Sequence, residues 1–177
     1  PGFEYLTPDE YRLLMQARNA SPGDELPLFL RAGAFQDQGQ QYRVPLILEI
    51  PTKAIRFEKK QGRVTANLQL MGLVRTGTGE FVRRFGGPLN LHATQAEYDV
   101  LEPGSVSFLN TLELQPGIYS FEVMVKDLTS GKISRRQQGL FLREPELGLA
   151  LSVVLLSKEV DKAAVGASGF LLVGDAK

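Results

Sequence analysis

The side chains that could do chemistry in this chain are few, and their spacing suits almost no reaction. One histidine, His92, is present in 177 residues, with no cysteine and no tryptophan. Without cysteine there is no thiol nucleophile, no disulfide framework and no cysteine-built zinc or iron–sulfur site. A histidine base needs an orienting carboxylate and a nucleophile within hydrogen-bond reach. His92 lies in Leu89-Asn-Leu-His-Ala93, close in sequence to Glu97 and Asp99, but no Gly-x-Ser-x-Gly elbow accompanies it. It reads as a solvent-facing strand histidine. Two carboxylates at fixed separation can hydrolyse a glycoside, yet Glu49, Glu113 and Glu122 occur in alternating stretches that turn them outward. No Asp-x-Asp pair points to calcium, and Asp127 with Thr129 and Ser130 reads as turn chemistry. The residues therefore predict no catalytic group, no cofactor and no metal ligand. A sugar- or calcium-binding β-module is the alternative, although the five tyrosines and ten phenylalanines fall mostly at core-periodic positions.

Charge is the one surface irregularity. Twenty Lys and Arg balance twenty Asp and Glu, so no global field draws the chain to nucleic acid or acidic membrane. Residues 51–84 nevertheless hold eight basic and two acidic side chains, whereas 85–122 hold five acids and no Lys or Arg. Arg56, Lys59, Lys60, Arg83 and Arg84 form the candidate interaction patch, and Arg135-Arg136 is a second basic doublet. Charge complementarity would steer a protein partner or a neighbouring domain. No nucleic-acid-binding motif accompanies the basic stretch.

The elements that must position these groups begin with a helix. Thr7-Pro8-Asp9-Glu10 supplies a capping hydroxyl, a proline at the first helical position and two first-turn acids. Thr7 and Glu10 have capping-box spacing. Tyr11, Leu14, Met15 and Arg18 would share one side, with Leu13 and Ala17 nearby, and the helix should stop near Asn19. About three turns are not stable alone, so it must pack on something. From Leu26 the period becomes two. Strands are expected around 28–35, 44–50, 64–70, 80–85, 106–114, 119–125 and 133–142, with a weaker one at Leu89, Leu91 and Ala93. Pro45 belongs at a strand start, a bulge or an edge. Leu147–Leu156 is apolar but about half the length of a membrane helix.

Seven or eight strands at even spacing predict an all-β immunoglobulin- or fibronectin-III-like sandwich with a short N-terminal helix. Leu114-Gln-Pro116-Gly117-Ile-Tyr119-Ser-Phe121 has the form of a tyrosine corner. There the Tyr119 hydroxyl turns back to the backbone just upstream, and Phe121 takes the core position where antibody domains have cysteine. Residues 1–24 read as linker and helix, and 25–157 as the sandwich. Residues 158–177 read as a C-terminal segment, either a last strand or the start of a further β unit.

The order Pro1-Gly2-Phe3, short helix, Asp24-Glu-Leu-Pro-Leu28, Val44-Pro-Leu-Ile-Leu-Glu-Ile-Pro51, Leu114-Gln-Pro-Gly-Ile-Tyr119, Val125-Lys-Asp127 and Leu149-Ala-Leu-Ser152 resembles a known region. It is similar to the segment after the von Willebrand factor A domain in the VWFA-related proteins of Acidobacteria, over residues 1 to about 157. The resemblance implies an exported, secreted or periplasmic bacterial protein. Its adjacent A domain would carry the adhesion motif Asp-x-Ser-x-Ser, which is absent from these residues. The function expected is a non-catalytic module for protein–protein or interdomain contacts.

Overall fold

The computed structural model describes residues 6–20, 25–36, 41–144 and the backbone of 169–173. The Leu147–Leu156 run and the turn at Ser21–Asp24 lie outside these residues. Helix α1 (Pro8–Arg18) starts at the expected cap. Glu10 N–H donates to the Thr7 hydroxyl at 3.3 Å, and Thr7 N–H donates to the Glu10 carboxylate at 2.7 Å. Asn19 closes the other end, its N–H returning to the Met15 carbonyl. The buried row is Leu13, Leu14 and Ala17; Tyr11 is 45% and Met15 37% exposed, against the expectation for that side. Both rows are apolar in sequence. Docking takes the one with two adjacent leucines and a small alanine that lets the helix approach the sheet.

The strands are β1 (Phe29–Ala32), β2 (Phe35–Gln36), β3 (Tyr42–Pro51), β4 (Glu58–Lys60), β5 (Arg63–Thr76), β6 (Phe81–Thr94), β7 (Ser105–Leu114), β8 (Gly117–Asp127), β9 (Ile133–Leu142) and β10 (Gly169–Val173). One antiparallel sheet runs β1-β3-β7-β10, with β2 also on β3. The other runs β4-β5-β8-β9, with β6 also on β5. The architecture is all-β, two antiparallel sheets with a short helix. Among the described residues ten strands stand where alternation predicts seven or eight; β2 and β4, two and three residues long, are too short for alternation to reveal. β10 pairs with β7 from Gly169↔Leu109 to Val173↔Ser105.

Two departures from the sequence reading have physical causes. β6 does not end at Phe85 but continues through Gly86-Gly87-Pro88 to Thr94, with Leu89 and Leu91 buried. Gly86 and Gly87 take positive φ, and a register shift at Val74/Arg75 faces the strand's start, so the strand bends without stopping. Helix α2 (Gln95–Leu101) follows, opened by a second capping box, Thr94 with Glu97. Pro45 lies inside β3, an interior strand paired with β7 at Pro45↔Thr111. Its carbonyl accepts from Gly33 N–H at 3.0 Å, so its N–H-free side faces the break between β1 and β2. No ladder donor is missed there.

The core between the sheets forms two adjoining clusters. One gathers Leu48, Ile50, Leu68, Leu70, Val106, Val123 and Val125; the other gathers Val44, Leu46, Val74, Leu112, Leu114, Phe121 and Leu142. Phe85 packs against both, its ring lying directly over Gly72 on the neighbouring strand. A Cβ at Gly72 would fall 2.1 Å from that ring. Gly72→Ala must therefore push Phe85 out of the seam, at an expected cost of about 1–3 kcal/mol in urea unfolding. An unchanged unfolding midpoint would show that the ring does not sit there.

Candidate functional site

The third apolar cluster lies on the outside of the β4-β5-β8-β9 sheet, and it creates the site. Met71, Leu73, Met124 and Ile133 face outward, and α1 covers them with Leu13, Leu14 and Ala17. An eleven-residue helix is about 16 Å long. Four neighbouring strands span about 14 Å between outer axes, so α1 can bridge the sheet from β6 to β9. Its ion pairs mark both ends. Glu10 pairs with Arg84 on β6, and Arg18 reaches Glu122 on β8.

Glu122 occupies an outward position on β8, as its alternation indicates, but it is only 5% exposed because α1 lies over it. Burial of a carboxylate in an apolar layer is costly unless it is paired and hydrogen-bonded. Arg135 Nε on β9 donates to Glu122 Oε1 at 2.6 Å, and Arg18 Nη2 donates to both carboxylate oxygens at 3.3 and 3.4 Å. One acid thus binds strand to strand and helix to sheet. Beside it Lys126 Nζ donates to Gln16 Oε1 at 2.9 Å. A shallow cleft of about 340 Å³ opens between the end of α1 and the start of β9, with Arg18, Glu25, Arg135 and Arg136 on its walls. Arg136 Nε donates to the Leu28 carbonyl at 3.0 Å, which ties β9 to the chain entering β1.

The corner has the expected geometry. β7 leaves one sheet and β8 enters the other across Gln115-Pro116. Tyr119 Oη donates to the Gln115 carbonyl at 3.0 Å, Gly117 takes φ +154°, and Phe121 is fully buried. Asp127 is fully buried as well. Its carboxylate accepts from Thr129 N–H, Ser130 N–H, the Ser130 hydroxyl and Arg56 N–H. It holds the hairpin turn and, through Arg56, the strand-to-strand connection ahead of β4.

The five basic patch residues are not gathered together. Lys59 and Lys60 on β4 sit opposite Val64 and Arg63, whereas Arg83 and Arg84 on β6 sit opposite Val74 and Leu73. Ten residues of β5 separate the groups, about 33 Å of strand. Local partners take several of them: Lys60 pairs with Glu58, Arg84 with Glu10, and Lys59 Nζ sits 4.5 Å above the Tyr98 ring on α2. Phe57 meets the same ring edge-on at 5.0 Å. The basic and acidic sequence halves therefore touch where β4 meets α2. On α2, hydrogen bonds from the Thr94 backbone and then its hydroxyl lower the Glu97 pKa. Desolvation first, then the nearby Glu102 and Asp99 charges, raise that of Tyr98. His92 is exposed on β6 opposite Thr65, Glu113 is exposed, and Glu49 pairs with Arg31. Among the described residues no cluster of three His, Asp or Glu could hold a metal, and no helix is long and apolar enough to cross a membrane.

No protein-family description and no curated protein matches the chain. Among solved structures, β-glucuronidase from Bacteroides uniformis overlaps it at 13% identity and TM-score 0.43, covering 65% of this chain and 13% of that one. A calcium-binding mutant of B. uniformis β-glucuronidase 2 overlaps at 14% identity and TM-score 0.43, with the same coverage. The chain thus spans about an eighth of those enzymes, and overlap of this size says nothing about activity.

Alternation places Glu122 on the outer face but is silent on what lies above it; an arginine at the end of a helix that needs a docking surface was the available signal. Each arginine can hold Glu122 alone, so Arg18→Ala or Arg135→Ala should cost about 1–2 kcal/mol singly. The double variant should exceed their sum by about 1–3 kcal/mol. A double-mutant cycle in urea checks this, and additive losses would show that the two arginines do not share the carboxylate.

Proposed function

We propose that this chain is a non-catalytic, immunoglobulin-like interaction module of a larger exported bacterial protein, and that α1 fixes an upstream domain relative to the sandwich. The observation that carries the reading is the seating of α1. It is pinned at Glu10–Arg84 and at Arg18–Glu122–Arg135, with an apolar row buried between. A domain joined ahead of such a helix inherits the helix's orientation instead of swinging on a free linker. The resemblance to VWFA-related proteins supplies the identity of that domain, a von Willebrand factor A domain, and the secreted or periplasmic setting. Support for a non-catalytic role comes from the polar groups themselves. The buried acids Glu122 and Asp127 are saturated by structural partners, and His92 stands exposed on β6.

The test uses the longer parent chain. Because these 177 residues contain no cysteine, a single spin label can be placed at exposed Val100 through Val100→Cys, with a second label in the upstream domain. One narrow distance distribution is expected, broadening in the Arg18→Ala/Arg135→Ala variant. A distribution as broad as that of a flexible linker, or a parent with no upstream domain, would overturn the reading.

A further inference from the structure

Helix α1 covers only part of the outer face of its sheet. Past Met71 and Met124, towards β4, the same face continues with no described element over it. Alternation settles which side chains stand on it. Ala66 and Leu68 point into the core, so Arg63, Thr65, Asn67 and Gln69 point out. Opposite them on β4, Glu58 pairs with Thr65 and Lys60 with Arg63, and share that face. On β8, Lys126 stands in register with outward-facing Ile133, and Gln16 of α1 reaches down to it at 2.9 Å. Arg56 lies at the junction of the two strands, because its N–H donates to the Asp127 carboxylate at 2.8 Å. Its side chain is exposed, as is that of neighbouring Leu128, at 53%.

Charge on this face is one-sided. Arg56, Lys60, Arg63, Lys126 and, at its corner, Lys132 stand against one exposed acid, Glu58. Glu58 pairs with Lys60, while among the described residues no acid pairs with Arg56, Arg63 or Lys132. The Asp127 carboxylate is buried and spent on its four hydrogen bonds, so it offers them no oxygen. Where α1 ends, a shallow cleft of about 450 Å³ opens between Gln16, Asn19 and the β8–β9 turn, with Lys126 and Lys132 on its walls. From the level of Lys126, opposite Gln69, to Arg63 is six residues of β5, about 20 Å.

We propose that this face binds an extended acidic segment of a protein partner, about six residues long, with carboxylates at both ends and an apolar residue over Leu128. One end places its carboxylates in the cleft at Lys126 and Lys132. The other meets Arg63, and Arg56 lies between. The surroundings select a peptide over other anions. A helix is about 10 Å across, so α1 stands above the sheet as a wall and holds a flat membrane away. Glu58 within the face, and Glu97, Asp99 and Glu102 on α2 beside β4, repel a uniform polyanion such as a nucleic-acid duplex. An exposed leucine among unpaired cations suits a segment that carries both kinds of group. The proposal rests on reading the chain as an interaction module, and not on α1 holding an upstream domain. A chain that seats α1 rigidly but ignores acidic peptides would overturn it and leave that role standing.

Titration of the isotope-labelled chain with the capped peptide Glu-Glu-Leu-Leu-Glu-Glu, followed by amide NMR shifts, tests it. Shifts are expected in residues 56–63 and 126–132, and none with Gln-Gln-Leu-Leu-Gln-Gln. Arg56→Glu/Lys132→Glu should weaken binding about tenfold or more, and Glu58→Gln should strengthen it. Both reversed side chains are exposed and unpaired, and the Arg56 N–H bond to Asp127 is unaffected, so the fold should persist; circular dichroism melts check this. Raising salt from about 50 to about 500 mM should weaken binding as well. Three results would overturn the proposal: no shifts at several millimolar peptide, shifts equally strong around Arg83-Arg84, or binding that the double reversal leaves unchanged. Phosphatidylserine vesicles and a DNA duplex form the comparison arms, and tighter binding of either through the same cations would also overturn it.

Discussion

The structure depends on one constraint: β5 and β8 are apolar on both faces. Leu70, Val74, Phe121, Val123 and Val125 fill the space between the sheets, while Met71, Leu73 and Met124 point the other way. A two-layer sandwich would leave that outer row in water. Layers stay stable only when each apolar face is covered by another element, so a third layer is required over half of this sheet. α1 supplies it, and the helix, too short to persist alone, obtains its stability from the same contact. Each of the two partial structures completes the other.

Glu122 makes this contact specific as well as favourable. Apolar burial alone would let α1 slide or rotate on the sheet, because hydrophobic attraction has no direction. A carboxylate under the helix, with one arginine from the helix and one from β9, admits a narrow range of positions. The same device recurs in miniature at Asp127, where one buried carboxylate collects three groups of its own hairpin and a backbone N–H from Arg56. In both places a buried acid acts as a joint between segments distant in sequence. This is a structural use of charge, and it leaves little ionisable chemistry free inside the fold.

Much of this was legible in the sequence, for local reasons. Capping groups define α1 to the residue, and uninterrupted alternation defines β7, β8 and β9. Tyr119 two positions before a core aromatic indicated its bond back to Gln115. What failed needed information that is not local. The sequence suggests one strand ending at Phe85 and a weaker one at Leu89–Ala93, yet positive φ at Gly86 and Gly87 carries a single β6 through both; Thr94-x-x-Glu97 was the overlooked sign of α2. Arg83 and Lys60 belong to one basic sequence stretch, but a fourteen-residue strand carries them to opposite ends. Alternation placed Glu122 on the outer face and could not say that a helix lies there.

Amide hydrogen exchange within α1 bears most directly on the central claim. If the helix is an integral third layer, its interior amides, from Arg12 to Arg18, open only with the sheet beneath. They should then exchange with the free energy of the central β5 and β8 amides, the global value for the domain. Protection in α1 far below that of β5 and β8, as in a helix that frays from an otherwise intact sandwich, would contradict the account.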